Sequence, residues 1–284
     1  HKLRIVTALQ AEGHIATMTG DGVNDAPALK RAEVGIAMGK KGTEAAKEAA
    51  EMVLADDNFA TIIQAIKEGR TVFDNIIKVI AWTLPTNGAQ AMTIITALVL
   101  GMTLPITPIQ ILWVNMVSAV ALGLTLAFEP HEKNVLSRPP RPSQSPILSR
   151  RLIWQVAFVS TLFVAGTFGL FLWALDQGAS IEVARTLGVN TLIALEIVYL
   201  FSIRYAHNTS LTLEGMKGTP AVWIGIISIT LLQAAFTWIG PMQSIFGTAS
   251  LSSDQLLVMA GVAVVTFVIL EVEKLVSCKL NQKQ

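Results

Sequence analysis

Apolar and polar positions follow two different rules along this chain. Up to about Asp74, short apolar runs alternate with charged stretches, whereas beyond it long apolar segments succeed one another. In the first region the pattern predicts an amphipathic helix over 1–13, a buried strand over 15–19 and a helix over 26–32 opened by Pro27 in its first turn. A second strand follows over 34–38, then an Ala-, Glu- and Lys-rich helix over 43–52 and a short strand over 53–55 ahead of Asp56-Asp57-Asn58. Strand and helix alternating at this pitch predict part of a parallel α/β sheet with helices on both faces. From Asn58 a helix is expected to run through "NFATIIQAIKEGRTVFDNIIKVIAW" directly into the first long apolar segment. Six such segments, at about 76–100, 106–128, 152–175, 186–205, 220–240 and 255–275, approach the ~20 residues that a bilayer requires.

Composition turns this pattern into a membrane protein. Of the 284 residues, 52% are hydrophobic and 14% charged, against about 25% charged in soluble domains. The net charge of +1, with no basic stripe interleaved with aromatics, excludes a nucleic-acid partner. The single cysteine, Cys278, leaves no disulfide framework. The expected division is an α/β piece over 1–57, a stalk helix over 58–75 and a helical membrane domain over 76–284 in contact with the lipid bilayer. Loop charge gives the orientation. Lys133, Arg138, Arg141, Arg150 and Arg151 lie between spans two and three, Lys217 between four and five, and Lys274, Lys279 and Lys283 near the end. These regions should be cytosolic, and six spans return the C-terminus to the side of the N-terminus. The chain opens on His1 and reads as a fragment of something longer.

The chemistry-bearing stretch of the first region is "MTGDGVNDAPALK". A strand ending in Thr-Gly-Asp-Gly sets Asp21 at the carboxyl edge of a parallel sheet, where open α/β folds bind ligands. Gly20 and Gly22 allow positive φ and close backbone approach. Asp25, four residues on, can converge with Asp21 on one hard cation, and oxygen ligands beside a tight turn suit Mg²⁺. The same residues also suit a plain strand-to-helix turn in which Asp and Asn cap the helix.

Polar residues within the apolar segments mark a second region, because in hydrocarbon they are costly. The first segment holds Thr83, Pro85, Thr86, Asn87 and Gln90; Pro85 frees a backbone carbonyl, and Asn87 and Gln90 share a helix face. The second holds Asn115 and Ser118, and the fourth holds Asn190 and Glu196, the one acid well inside a predicted span. Together they can offer amide, hydroxyl and carboxylate oxygens to a dehydrated cation. Hydrogen bonding between helices calls for the same residue types.

"MTGDGVNDAPALK", followed by "AEVGIAMG" and "AAEMVLADDNFATIIQAIKEGR", resembles the hinge end of the phosphorylation domain of P-type ATPases. The likeness continues through "QILWVNMVSAVALGLTLAFEP" and "SRPPR" to the end of the chain, and is greatest to the type II cation pumps. It implies a haloacid dehalogenase-like phosphorylation-domain end joined to family helices five to ten, with ATP as substrate and Mg²⁺ as cofactor of the complete enzyme. Residue by residue, it makes Asp21 the Mg²⁺ ligand, Asn24 and Asp25 its hinge partners, and Lys2 the lysine that steadies the phosphoryl group. The family's nucleophile lies in an Asp-Lys-Thr-Gly-Thr string, which does not occur here, so the chain alone is expected not to turn over ATP. Asn87, Gln90, Asn115, Ser118 and Glu196 fall where calcium pumps have Asn, Glu, Asn, Thr and Glu, while Ala119 stands in place of an Asp. Two acids are thus replaced, which points away from a divalent ion. The partners implied are the transported cation and the missing N-terminal half of the pump. A non-catalytic membrane subunit and a secondary carrier are the alternatives, although a carrier has no use for a phosphate-type hinge loop.

Overall fold

The structure, a computed structural model, describes residues 1–132, 134–142, 146–204 and 218–281. Lys133, Lys217 and Lys283 of the charge pattern, and the Cys278 side chain, lie outside the described residues. The chain divides into two compact units, His1–Thr71 with His131–Ser145, and Val72–Pro130 with Pro146–Gln284.

In the first unit, β1 (Thr17–Gly20), β2 (Val34–Met38) and β3 (Met52–Leu54) form a parallel sheet in that order, registered Gly20 to Ala37 and Met38 to Leu54. The two-residue period of β2 separates two cores. Ala37 meets Leu29 of α2 (Ala26–Arg31) and Ala46 of α3 (Glu44–Ala49) on one face. Ile36 and Met38 meet Leu54 and Ile62 on the other, where Ile62 belongs to α4 (Phe59–Val99). Both faces of the sheet are therefore covered. The helix over the first residues, α1 (Lys2–Ala11), buries only Val6, against Ala16, Ala28 and Ala32.

Two details differ from the sequence expectation. β1 is not a buried strand: Ile15 before it is 60% exposed, and only Gly20 within it is buried. Its pairing explains this, since among the described residues β1 bonds to β2 alone and so forms the edge of the sheet. The helix predicted over 43–52 is shorter. Thr43 caps it, its hydroxyl accepting from the Ala46 amide at 3.3 Å, and at Ala50 the backbone turns extended to enter β3.

The second unit is helical. α4 is a single helix of 41 residues that contributes to both units. It is followed by α5 (Pro108–Ala121), which tightens into a 3₁₀ stretch over Gly123–Phe128, and by α6 (Arg150–Asp176) and α7 (Ile181–Ile203). Then come α8 (Pro220–Trp238), the short α9 (Gly240–Phe246) and α10 (Ser253–Asn281). Among the described residues, five spans are long and apolar enough to cross a membrane: Pro108–Phe128, Arg150–Asp176, Ile181–Ile203, Pro220–Trp238 and Ser253–Ser277. The expected first span within α4 is not among them, because Pro85, Asn87, Gln90 and four threonines dilute its apolar character.

α7 is the central helix, with 78% of its apolar window buried against 22–44% for the other four. It packs on α6 and α10. Outward-facing Leu112, Ile224, Leu231, Leu257 and Val264 stay exposed, as side chains that meet lipid would. One close helix contact is sterically fixed. A Cβ on Gly225 of α8 would stand 2.0 Å from the carbonyl oxygen of Ala121 in α5. Gly225→Ala is therefore expected to destabilise the bundle by about 1–3 kcal/mol, the usual cost of overpacking. A detergent-solubilised melting curve unchanged by the substitution would contradict this contact.

Candidate functional site

The acidic loop grows out of the end of β1. Gly20 closes the strand, Asp21 and Gly22 follow, and a single 3₁₀ turn over Val23–Asp25 leads into α2. The expected convergence of two carboxylates is not what forms. Asp25 is buried and turned inward: its Oδ1 lies 2.7 Å from Lys2 Nζ, and its Oδ2 accepts from the amides of Asp21 at 3.3 Å and Gly22 at 3.5 Å. Asp21 and Asn24 remain exposed. Asp25 thus organises the turn and positions Lys2, and Asp21 alone presents its carboxylate outward at the strand end.

The glycines work differently from the expectation of positive φ. Neither Gly20 nor Gly22 has positive φ. Gly20 is required because Asp25 lies against it, so that an added Cβ would meet the Asp25 Cβ at 2.6 Å. Gly22 has φ −103° and open space around it.

The bond from Lys2 is the largest influence holding the Asp25 carboxyl below its ordinary range; burial opposes it, and the Asp21 and Gly22 amides add to it. A lowered folded value means that the charged pair stabilises the turn fully above the unfolded value near about 3.9, and loses that contribution as pH falls through the folded value. The difference in melting temperature between wild type and Asp25→Asn is accordingly expected to be constant from neutral pH to about pH 5 and to shrink below about pH 4. A difference independent of pH would remove the Lys2 pairing from the account.

The donor set bears on Mg²⁺. Among the described residues no three His, Cys, Asp or Glu side chains cluster as a metal site. Mg²⁺ commonly takes only one or two carboxylates and fills its sphere with water and phosphate oxygens. One outward Asp21 beside a lysine fits such a partial site.

The second unit holds a cavity of about 400 Å³ bordered by α4, α5 and α7. Thr86, Asn87, Gln90, Asn115, Ser118 and Glu196 all line it, so the membrane residues predicted from three distant stretches meet there. Glu196 is fully buried and accepts a 2.5 Å hydrogen bond from Ser118 Oγ at its Oε2. Its other oxygen, Oε1, and Gln90 Oε1 are buried without a hydrogen-bond partner. Buried acceptors without donors are expensive. Two of them on one cavity make a place where a cation would be welcome. Asn87, Asn115 and Ala119 are exposed, which leaves the α4–α5 side of this cavity open.

Several supporting residues were not legible in the sequence. Pro85 lacks the N–H that would bond the Ala81 carbonyl, and that carbonyl instead accepts from Tyr199 Oη at 2.8 Å, so it is not offered to an ion. Gln155 Nε2 in turn donates to Tyr199 at 3.0 Å. Ser160 Oγ donates to the Pro85 carbonyl at 2.9 Å, and Trp82 Nε1 to the Glu196 carbonyl at 3.3 Å. Tyr199 stands one turn after Glu196, which is the only sequence signal it carries. Asn190 does not join the cavity: it donates to the Thr186 carbonyl and to Thr237 Oγ1 and so ties α7 to α8. Near the end of the last span, buried Glu271 of α10 accepts from Ser202 Oγ at 2.8 Å. A buried ion pair, Arg204 Nε to Glu129 Oε1 at 2.7 Å, joins the end of α7 to the segment after α5.

A short parallel sheet ending in an acidic loop, followed by a helical bundle with a polar cavity, defines a polytopic membrane protein with a haloacid dehalogenase-like segment. Residues 4–66 match the family described as haloacid dehalogenase-like hydrolase, and residues 103–276 match the one described as cation transporting ATPase, C-terminus. The chain is 50% identical over 248 residues to the probable cation-transporting ATPase F of Mycobacterium tuberculosis, covering 87% of this chain and 27% of that protein. It is 40% identical over 259 residues to the cation-transporting ATPase pma1 of Synechocystis, covering 89% and 29%, respectively. With the calcium-transporting ATPase of Bacillus subtilis it shares 37% identity over 271 residues, 95% of this chain and 30% of that one. The chain belongs to the P-type cation-transporting ATPases and corresponds to their C-terminal portion, spanning less than a third of the length of these relatives. Neither the subunit nor the carrier reading finds support among them.

Proposed function

We propose that this chain supplies two working parts of an ATP-driven cation pump: one carboxylate of the Mg²⁺–phosphate site and a large share of the membrane ion site. The observation that carries the reading is the pair of unpartnered buried oxygens, Glu196 Oε1 and Gln90 Oε1, on one cavity.

At the loop, Mg²⁺ would contribute positive charge against the phosphate oxygens during transfer. Asp21 is the residue to hold it, with Gly22 leaving the backbone clear and Gly20 making room for Asp25. Lys2, steadied by Asp25, adds a second positive charge at the same strand end. Asn24, exposed on the turn, is the remaining hinge residue able to donate to a phosphate oxygen. The attacking aspartate is to come from elsewhere in the longer protein.

In the membrane, the α4 segment near 76–99 acts as a further span, making six, and its polar residues are the reason it is less apolar than the rest. The excess of Arg and Lys in the connecting loops supports a cytosolic location for that end and for both termini. Asn87, Gln90, Asn115, Ser118 and Glu196 contribute amide, hydroxyl and carboxylate oxygens to the transported cation. Glu196 is the one carboxyl group among these residues, so this part of the site favours an ion of low charge, or shares a divalent ion with acids from the rest of the pump.

The test is an ion panel on the full-length pump, reading ATPase stimulation in wild type, Gln90→Ala and Asn115→Ala. A shift in the half-stimulating cation concentration in both variants is expected. Unchanged stimulation in both would overturn the site.

A further inference from the structure

The connection between β2 and α3 is short and held at every point. It runs from Gly39 to Gly42 and ends on Thr43, the cap of α3. Gly39 donates its amide to the Leu54 carbonyl at 2.9 Å, and a Cβ there would stand 2.8 Å from Ala55 Cα. A Cβ on Gly42 would collide with the Met38 carbonyl oxygen. Between these two glycines the loop is gripped by a side chain from just after β3. Asp57 Oδ1 accepts from the Lys40 amide at 2.9 Å, and its Oδ2 accepts from the Lys41 amide at 3.0 Å.

Half-buried Asp57 makes this grip from an uncommon backbone conformation. Its φ of 56° is the only left-handed value at a non-glycine position among the described residues. Aspartate tolerates that region better than most residues, yet such conformations persist where the surroundings enforce them, and they gather at working sites. The Lys40 amide is the largest influence holding the Asp57 carboxyl below its ordinary range; desolvation opposes it, and the Lys41 amide adds to it.

The far end of the same loop reaches the acidic loop after β1, since the Thr43 amide donates to the Asp21 carbonyl at 2.8 Å. One rigid connection therefore has Asp57 bound to its middle and Asp21 bound to its end. The neighbouring acid is committed elsewhere: Asp56 accepts from the Asn58 amide at 3.1 Å and from Thr61 Oγ1 at 2.6 Å, at the start of α4.

We propose that Asp57 is a positioning residue for the Mg²⁺–phosphate site: its carboxylate fixes the 39–42 loop, and that loop, through the Thr43 amide, fixes the backbone from which Asp21 presents its carboxylate. The inference rests on the reading of Asp21 as the Mg²⁺ ligand.

The experiment labels the phosphoenzyme of the full-length pump across a titration of free Mg²⁺, with melting temperature read alongside. Asp57→Gly is the informative variant, because glycine accepts the left-handed φ without strain and removes only the two acceptors. It should raise the Mg²⁺ concentration for half-maximal labelling by about two- to thirty-fold, the range for residues that act through intervening contacts, and keep most of the labelling at saturating Mg²⁺. Asp57→Asn tolerates the same φ and retains one amide acceptor, so it should restore part of the Mg²⁺ affinity. Asp56→Ala, which removes the adjacent charge, should leave the Mg²⁺ requirement unchanged. An unchanged requirement in Asp57→Gly, with Asp21→Asn losing its labelling, would overturn the positioning role and spare the Asp21 assignment. Wild-type labelling in Asp21→Asn would overturn both. Equal shifts in Asp56→Ala and Asp57→Gly would reduce the effect to local charge and overturn the proposal, as would a fall in melting temperature without any change in Mg²⁺ requirement.

Discussion

Asp21→Asn in the full-length pump is expected to lower phosphoenzyme formation by about 10²–10³-fold, the loss seen when one electrostatic contact to a transferring group is removed. Asp21 is exposed, whereas Asp25 is tied to Lys2 and two backbone amides. Removing the Asp21 charge therefore strips the loop of its one outward carboxylate without disturbing the turn. Membrane insertion and melting temperature should be unchanged. Phosphoenzyme labelling at several Mg²⁺ concentrations gives the answer, and wild-type labelling at ordinary Mg²⁺ would end the assignment. Gly20→Ala offers a contrast. It should also depress labelling, but through a displaced Asp25, so the melting temperature would fall with it.

Glu196→Gln should produce the largest effect in the membrane. Gln keeps the volume and can still accept from Ser118 Oγ, so the bundle is expected to stay folded. What disappears is the one carboxyl group among the described residues that line the cavity. An interaction with a charged group is worth about 1.5–3 kcal/mol, so the half-stimulating cation concentration should rise roughly ten- to hundred-fold. Tyr199→Phe is the control for indirect effects, since it strips the Ala81 carbonyl of its donor without touching the cavity lining. It should cost stability and leave cation dependence nearly unchanged. Equal shifts in both variants would mean that Glu196 matters only through packing.

The sequence by itself determined the strand β2, the Pro27 entry to α2, the presence of long apolar helices and the identity of the family. These are local or near-local properties: side-chain period, caps, chain length against bilayer thickness, and a contiguous motif string. It also picked out Asn87, Gln90, Asn115, Ser118 and Glu196, because polar residues in apolar segments stand out wherever the helices go. It could not decide how polar groups pair across distance. Asp21 and Asp25 look alike in a string of letters, and only the fold, by bringing Lys2 of α1 to Asp25, turns one inward and leaves the other facing out. Pro85 announces a freed carbonyl, but Tyr199, more than a hundred residues on, answers it. Asn190 carries the same chemistry as Asn87, yet its position on the central helix α7 opposite Thr237 commits it to helix pairing. In each case the deciding quantity is which partner a buried polar group reaches, and in a bundle of helices that is fixed by rotation and packing between segments, which no single segment encodes.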